Sequence, residues 1–275
     1  MEGRYLLGVT DPAQTLAFLR RCSDAPPDAA ALARRSALAA ERRAARPPLQ
    51  GAAEPVPAVW QEHLDQVATR PVFQSLYPAG RWRFAAVPLR ALLTVQAHLN
   101  FSHSAAALPP EPSTQQVLDL CLPAQPEPLE LWGGMSEGEP PSASFYTGDP
   151  NVQITGARLE TRPQLALTFT ISKTALFAHV LAWGGRLYLK DGTHRAVALA
   201  LRGCELLPCV MMESADGEDL PQLLPRGTLA GASPPALMEF LDPDFYAPHP
   251  WVQRIKFIRL VPEEFFAALP PPREG

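Results

Sequence analysis

The stretch Arg186-Leu-Tyr-Leu-Lys-Asp191-Gly192-Thr193-His194-Arg195-Ala-Val-Ala-Leu-Ala-Leu-Arg-Gly203, followed by Leu207-Pro-Cys-Val-Met-Met212, limits what this chain can fold into more than any other. It reads as strand, tight turn, buried helix, glycine stop and strand. Leu187-Tyr188-Leu189 runs straight into five polar residues: Lys190, Asp191, Thr193, His194 and Arg195. The helix that follows, Ala196 to Leu201, is almost wholly small and apolar, so it is buried on most sides and its start is held in place. A helix N-terminus carries unpaired N–H groups and partial positive charge, which favour anions. Gly192 permits close backbone approach or an unusual φ. The stretch therefore offers one anion site, most simply a phosphate site.

Each polar residue suits that chemistry. Arg195 offers a planar, permanently charged fork to a phosphate. His194 can donate to a phosphate oxygen or shuttle a proton. Thr193 can cap the helix or touch a phosphate, with Lys190 beside it. Asp191 can hold Mg²⁺, or fix the turn by bonding backbone N–H groups. The plainer reading is a simple turn, with His194 and Arg195 in surface salt bridges. Lys173 and His179 are candidate neighbours. His98 and His103 stand five apart, which is not one helical face, and they read as ordinary histidines. The chain shows no P-loop, dinucleotide fingerprint, nucleophile elbow or zinc motif.

The rest of the chain frames this stretch. Its 275 residues can hold one large domain or two small ones, and 32 prolines imply many irregular connections. The net charge of −4 argues against whole-protein attraction to DNA or membranes. Four scattered cysteines without a framework spacing, no apolar signal core and no long apolar run lead to the expectation of a reduced, cytoplasmic protein with no membrane span. Residues 1–50 read as a helical arm. Asp11-Pro12 starts one helix there and Asp28 caps a second, Ala29 to Arg46. That second helix carries Arg34, Arg35, Arg42, Arg43 and Arg46, so it is either a basic arm for nucleic acid or a protein partner, or a solvated Ala/Arg helix. Further helices are expected over 59–68, 89–98, 173–182, after Ser233-Pro234 and over 263–269. Strands are expected over 82–88, 117–122, 129–132, 152–159, 165–171 and 254–261. Residues 133–142 read as a mobile loop and Trp183-Gly184-Gly185 as a helix stop.

Asp191-Gly-Thr-His-Arg-Ala-Val-Ala-Leu, Gly203 and Leu207-Pro-Cys-Val together resemble the Asp-Gly-x-His-Arg pattern of the ParB N-terminal/sulfiredoxin superfamily. The likeness extends loosely back to Val87-Pro88-Leu89. It implies an α+β fold with a ParB/sulfiredoxin-like mixed sheet flanked by helices, over about residues 80–262. The corresponding division is an arm at 1–50 and a domain at 51–275. It also implies a protein that binds ATP or CTP with Mg²⁺. Gly192, Thr193, Arg195 and Lys190 would then hold the nucleotide, Asp191 and His194 would be catalytic, and Asp191 would take the metal. A phosphotransferase or NTP hydrolase follows from that reading. The alternative is a non-catalytic module that binds nucleic acid or protein, through the 29–46 helix or as a homodimer. Thr193 stands where sulfiredoxins carry a cysteine, which removes thiolate chemistry there. No helix-turn-helix of the partition proteins follows residue 212. Asp149, Glu160, Glu213 and Asp216 are the carboxylates available as a base.

Overall fold

The computed structural model describes residues 1–25, 27–78, 80–125, 129–136, 142–147, 152–160, 166–173, 177–214, 233–251 and 256–260. In chain order the elements are β1 (Glu2–Leu6), α1 (Pro12–Cys22), α2 (Ala29–Ala45), α3 (Gln61–Ala68), α4 (Pro71–Leu76), β2 (Trp82–Pro88), β3 (Leu92–Thr94), β4 (His98–Asn100), α5 (Phe101–Ala106), α6 (Thr114–Cys121), β5 (Trp132–Ser136), β6 (Ser142–Thr147), β7 (Val152–Glu160), β8 (Ala166–Lys173), β9 (His179–Trp183), β10 (Arg186–Asp191), α7 (Thr193–Leu201), β11 (Leu206–Glu213), β12 (Tyr246–Pro250) and β13 (Lys256–Leu260). Short 3-10 turns lie at Ala58–Trp60, Leu89–Ala91 and Leu237–Leu241. The protein is thus a mixed α and β chain with several sheets.

It forms two compact units. The larger comprises Met1–Pro126 with Ala175–Val252, the smaller Glu127–Thr174 with Gln253–Gly275. The larger unit contains a five-stranded mixed sheet in the order β2-β11-β9-β10-β3, and a three-stranded antiparallel sheet in the order β12-β1-β4. α6 and α7 pack on β11, and α7 also packs on α5 and on the Leu237–Leu241 turn. Ala196, Val197, Ala198 and Leu199 are all fully enclosed, as the apolar run requires. The smaller unit contains a three-stranded antiparallel sheet, β13-β6-β5, and the β7–β8 hairpin.

Parts of residues 1–50 pair and pack within the larger unit. β1 lies between β12 and β4, and Leu6, Leu7, Leu19 and Leu32 join the core. Asp11 and Asp28 cap α1 and α2 as expected, each accepting from a first-turn N–H. The arginines of α2 turn mostly inward or along the chain's own surface. Arg35 donates to the carbonyls of Pro243 and Tyr246, and Arg42 pairs with Asp244. Arg43 donates to both carboxylate oxygens of Glu239 and to the carbonyls of Leu7 and Gly8. Arg46 reaches Glu239 as well. These bonds fasten α2 to residues 239–246, while Arg34 stays exposed.

Four segments differ from the periodicity reading. Of the residues expected as a helix over 173–182, the described ones are Lys173 at the end of β8, Phe177 and Ala178, and His179 to Ala182 in β9. β9 lies between β11 and β10, where both faces are covered, so its residues are a continuous apolar run that looks like a buried helix. Gly184 and Gly185, both at positive φ (56 and 73°), form the two-residue turn that joins β9 to β10. Residues 89–98 give a 3-10 turn and two short strands, because Leu92–Thr94 pairs in parallel with β10. Of residues 117–122, all but the C-cap Leu122 belong to α6, started by a reciprocal capping box between Ser113 and Gln116. Residues 133–136 are strand rather than loop. The helix expected over 263–269 lies outside the described residues.

Candidate functional site

The β10–α7 turn is built as the apolar flanks dictate. β10 ends in a register irregularity between Leu189 and Asp191, which leaves Lys190 exposed and sets Asp191 opposite His179 on β9. Gly192 then adopts φ 99° and ψ 19°, a left-handed conformation that L side chains rarely take. A Cβ there would lie 3.2 Å from both the Cα and the Cβ of Ala178. Gly192→Ala is therefore expected to cost about 1–3 kcal/mol in chemical denaturation, with the slope unchanged.

α1, α2, α5 and α6 each have a side-chain cap, from Asp11, Asp28, Asn100 and Ser113. No side chain caps α7. It shares this with α3 and α4, and its first N–H groups lack the side-chain partner found at α1, α2, α5 and α6. Thr193 is 1% exposed, and its Oγ1 has no hydrogen-bond partner among the described residues. Gly192 is buried as well, while Asp191, His194 and Arg195 are half-buried. The surface of the turn therefore belongs to the charged side chains and Lys190.

The candidate residues fall into two groups by their partners, with the charge of Arg195 acting on both. In the first group, Arg195 acts electrostatically on Asp191, on Tyr77 at the end of α4 and on Cys121. Burial pushes the Asp191 carboxyl up, against the pull of Arg195 and a hydrogen bond from the Gly192 N–H. Asp191 thus fixes the turn through the next residue's backbone. Burial and then Asp191 push the Tyr77 phenol up to about 12, so it keeps its proton at neutral pH. The Tyr77 ring meets His179 edge-on at 5.5 Å. In the second group, His194 Nε2 accepts from the Asn100 N–H at 3.1 Å, and the ring meets His103 edge-on at 5.8 Å. Burial above all, then His103, His98 and Arg195, hold the His194 pKa down at about 4. The ring is neutral at pH 7 and carries its proton on Nδ1.

Tyr77 gave no signal in the sequence, because nothing local ties residue 77 to residue 191. Glu213, a candidate base, is exposed and lies 3.7 Å from Arg83. Asp149 and Asp216 lie outside the described residues, as does the Glu160 side chain. Among the described residues, no three His, Cys, Asp or Glu side chains gather to hold a metal ion. No helix among them is long and apolar enough to cross a membrane.

The model of the antitoxin VapB-like family matches residues 157–214, about a fifth of the chain. The match begins in β7 and runs through β8, β9, β10 and α7 into β11. No curated protein and no solved structure matches the chain. The family match overturns the ParB/sulfiredoxin membership read from Asp191-Gly-Thr-His-Arg. The reason is local. A strand that must turn into a buried helix needs a left-handed glycine and polar residues around it, so so short a motif reports the turn and not the ancestry.

Proposed function

We propose that the β10–α7 turn receives an anionic oxygen group, a phosphate of a nucleotide such as ATP or CTP. The observation that carries this reading is the half-buried Arg195 in the first turn of α7, whose charge acts on Asp191 and Tyr77, at a helix start that no side chain caps. Arg195 would supply the permanent charge and Lys190 a second cation at the rim. The buried Thr193 hydroxyl is a spare polar group beneath them. Mg²⁺ would arrive with the phosphates and take Asp191 as its protein oxygen, since one carboxylate does not make a dedicated metal cage. Whether phosphoryl transfer follows depends on an acceptor and a base.

The test is a titration of ATP and CTP, with and without Mg²⁺, against the wild type and Arg195→Ala. Arg195→Ala should weaken binding about 10- to 100-fold, the range of one charge-assisted contact. Nucleotide binding that Arg195→Ala leaves unaltered, or no binding by the wild type, sinks the reading.

The match over residues 157–214 favours a second reading, a non-catalytic module with a protein partner. It would give partner binding that survives Arg195→Ala and no nucleotide binding.

A further inference from the structure

Four of the six histidines converge on the short β4–α5 segment of the larger unit. His98 and His103 belong to it, His194 touches it from α7, and His249 shares Phe18 and Trp251 with His98. The contact that matters is between His194 and Asn100. Asn100 caps α5 through its side chain, which accepts from the His103 N–H at 3.0 Å. Its own N–H has the lone pair of His194 Nε2 as acceptor.

We propose that this contact is an acid-sensitive catch: a proton added to His194 at Nε2 turns the acceptor into a donor facing the Asn100 N–H, and the 98–106 segment loosens from the start of α7 while Arg202 at the helix's other end still holds the carbonyls of Ala105 and Leu108. The inference stands independently of the anion site. Protonation consumes the one lone pair that the N–H can use, so the bond cannot weaken gradually and must be lost. The groups facing the ring reinforce this. They are His98 on β4, His103 on α5 and Arg195 on α7 itself, and each opposes a positive charge on His194. Three other elements pack on α7 and bear carboxylates: the Leu237–Leu241 turn, α6, and β11, whose exposed Glu213 lies by Arg83. Glu239 is held by Arg43 and Arg46, and Asp119 on α6 faces His63.

The direction follows from linkage. Above pH 6.5 both the closed and open forms hold a neutral ring, and the catch is at full strength. Between pH 6.5 and about 4 the open form takes up the proton first, so closure is progressively lost. With those two values the opening equilibrium should rise about 30-fold between pH 8 and pH 5. Amide hydrogen exchange, corrected for the intrinsic effect of pH, reads this directly at residues 98–106 of the full-length chain. His194→Gln keeps an acceptor oxygen but cannot titrate, and its segment should show no such rise. An equal rise in His194→Gln, or a flat wild-type profile, overturns the proposal. If His194→Gln does not fold, His194→Asn serves, since it also lacks a titrating ring, and an equal rise in that variant overturns the proposal.

Discussion

Glu239→Ala should destabilise the larger unit by about 3–5 kcal/mol in urea denaturation, because it strands a charge where water cannot reach it. The Arg43 side chain is 4% exposed and that of Glu239 is 1%. Glu239 accepts from Arg43 Nη2 at 2.6 Å and from Arg43 Nε at 3.0 Å, and it takes further bonds from Arg46 and the Ala236 N–H. Without the carboxylate, the guanidinium keeps only the carbonyls of Leu7 and Gly8. Removing both charges, as in Arg43→Met with Glu239→Leu, should recover a large part of the loss, since the desolvation cost of the pair also disappears. Recovery should be incomplete because those two carbonyls lose their donor. A Glu239→Ala loss below about 1 kcal/mol would show that the pair is hydrated in solution.

Phe73→Ala is the second large effect, again about 3–5 kcal/mol. Phe73 is fully buried on α4, and its ring meets Tyr77 at 5.0 Å, Trp82 at 4.8 Å, Phe84 at 5.3 Å and Phe177 at 5.1 Å. Deleting the ring leaves a cavity among aromatic side chains too rigid to close over it. The loss should reach the candidate site, because Tyr77 rests on Phe73 and faces His179. Near-ultraviolet circular dichroism should weaken even where the far-ultraviolet signal persists. An unchanged aromatic signal would place Tyr77 under the control of other neighbours.

The β10–α7–β11 run was legible because its signals are local. A short apolar strand, a glycine that must be left-handed, an all-apolar helix and Gly203 each act on their own neighbours. The Asp11 and Asp28 caps were legible for the same reason. β9 was not, since a strand covered on both faces loses the alternation that identifies it. Nor was the role of α2. An arginine at position 43 looks the same whether it meets solvent, DNA or Glu239, and only the folded chain brings Glu239 to it. His194 shows the limit within the site. Its place in the first turn was evident, but adjacent residues on a helix point about 100° apart, and only the folded chain shows that its ring meets the Asn100 N–H.

β1 pairs in register with β12, from Glu2 against Pro250 to Leu6 against Tyr246. A ribosome releases the first of these strands long before the second exists. Until then β1 has an unsatisfied row of N–H and C=O groups, and the nearby guanidinium of Arg43 waits for a carboxylate 196 residues downstream. Closing so wide a gap costs roughly 4–5 kcal/mol of chain entropy, which no partial chain can recover. Completion of the larger unit is therefore a late event during synthesis, and a nascent chain stalled short of residue 236 would offer its first strand to whatever edge it meets.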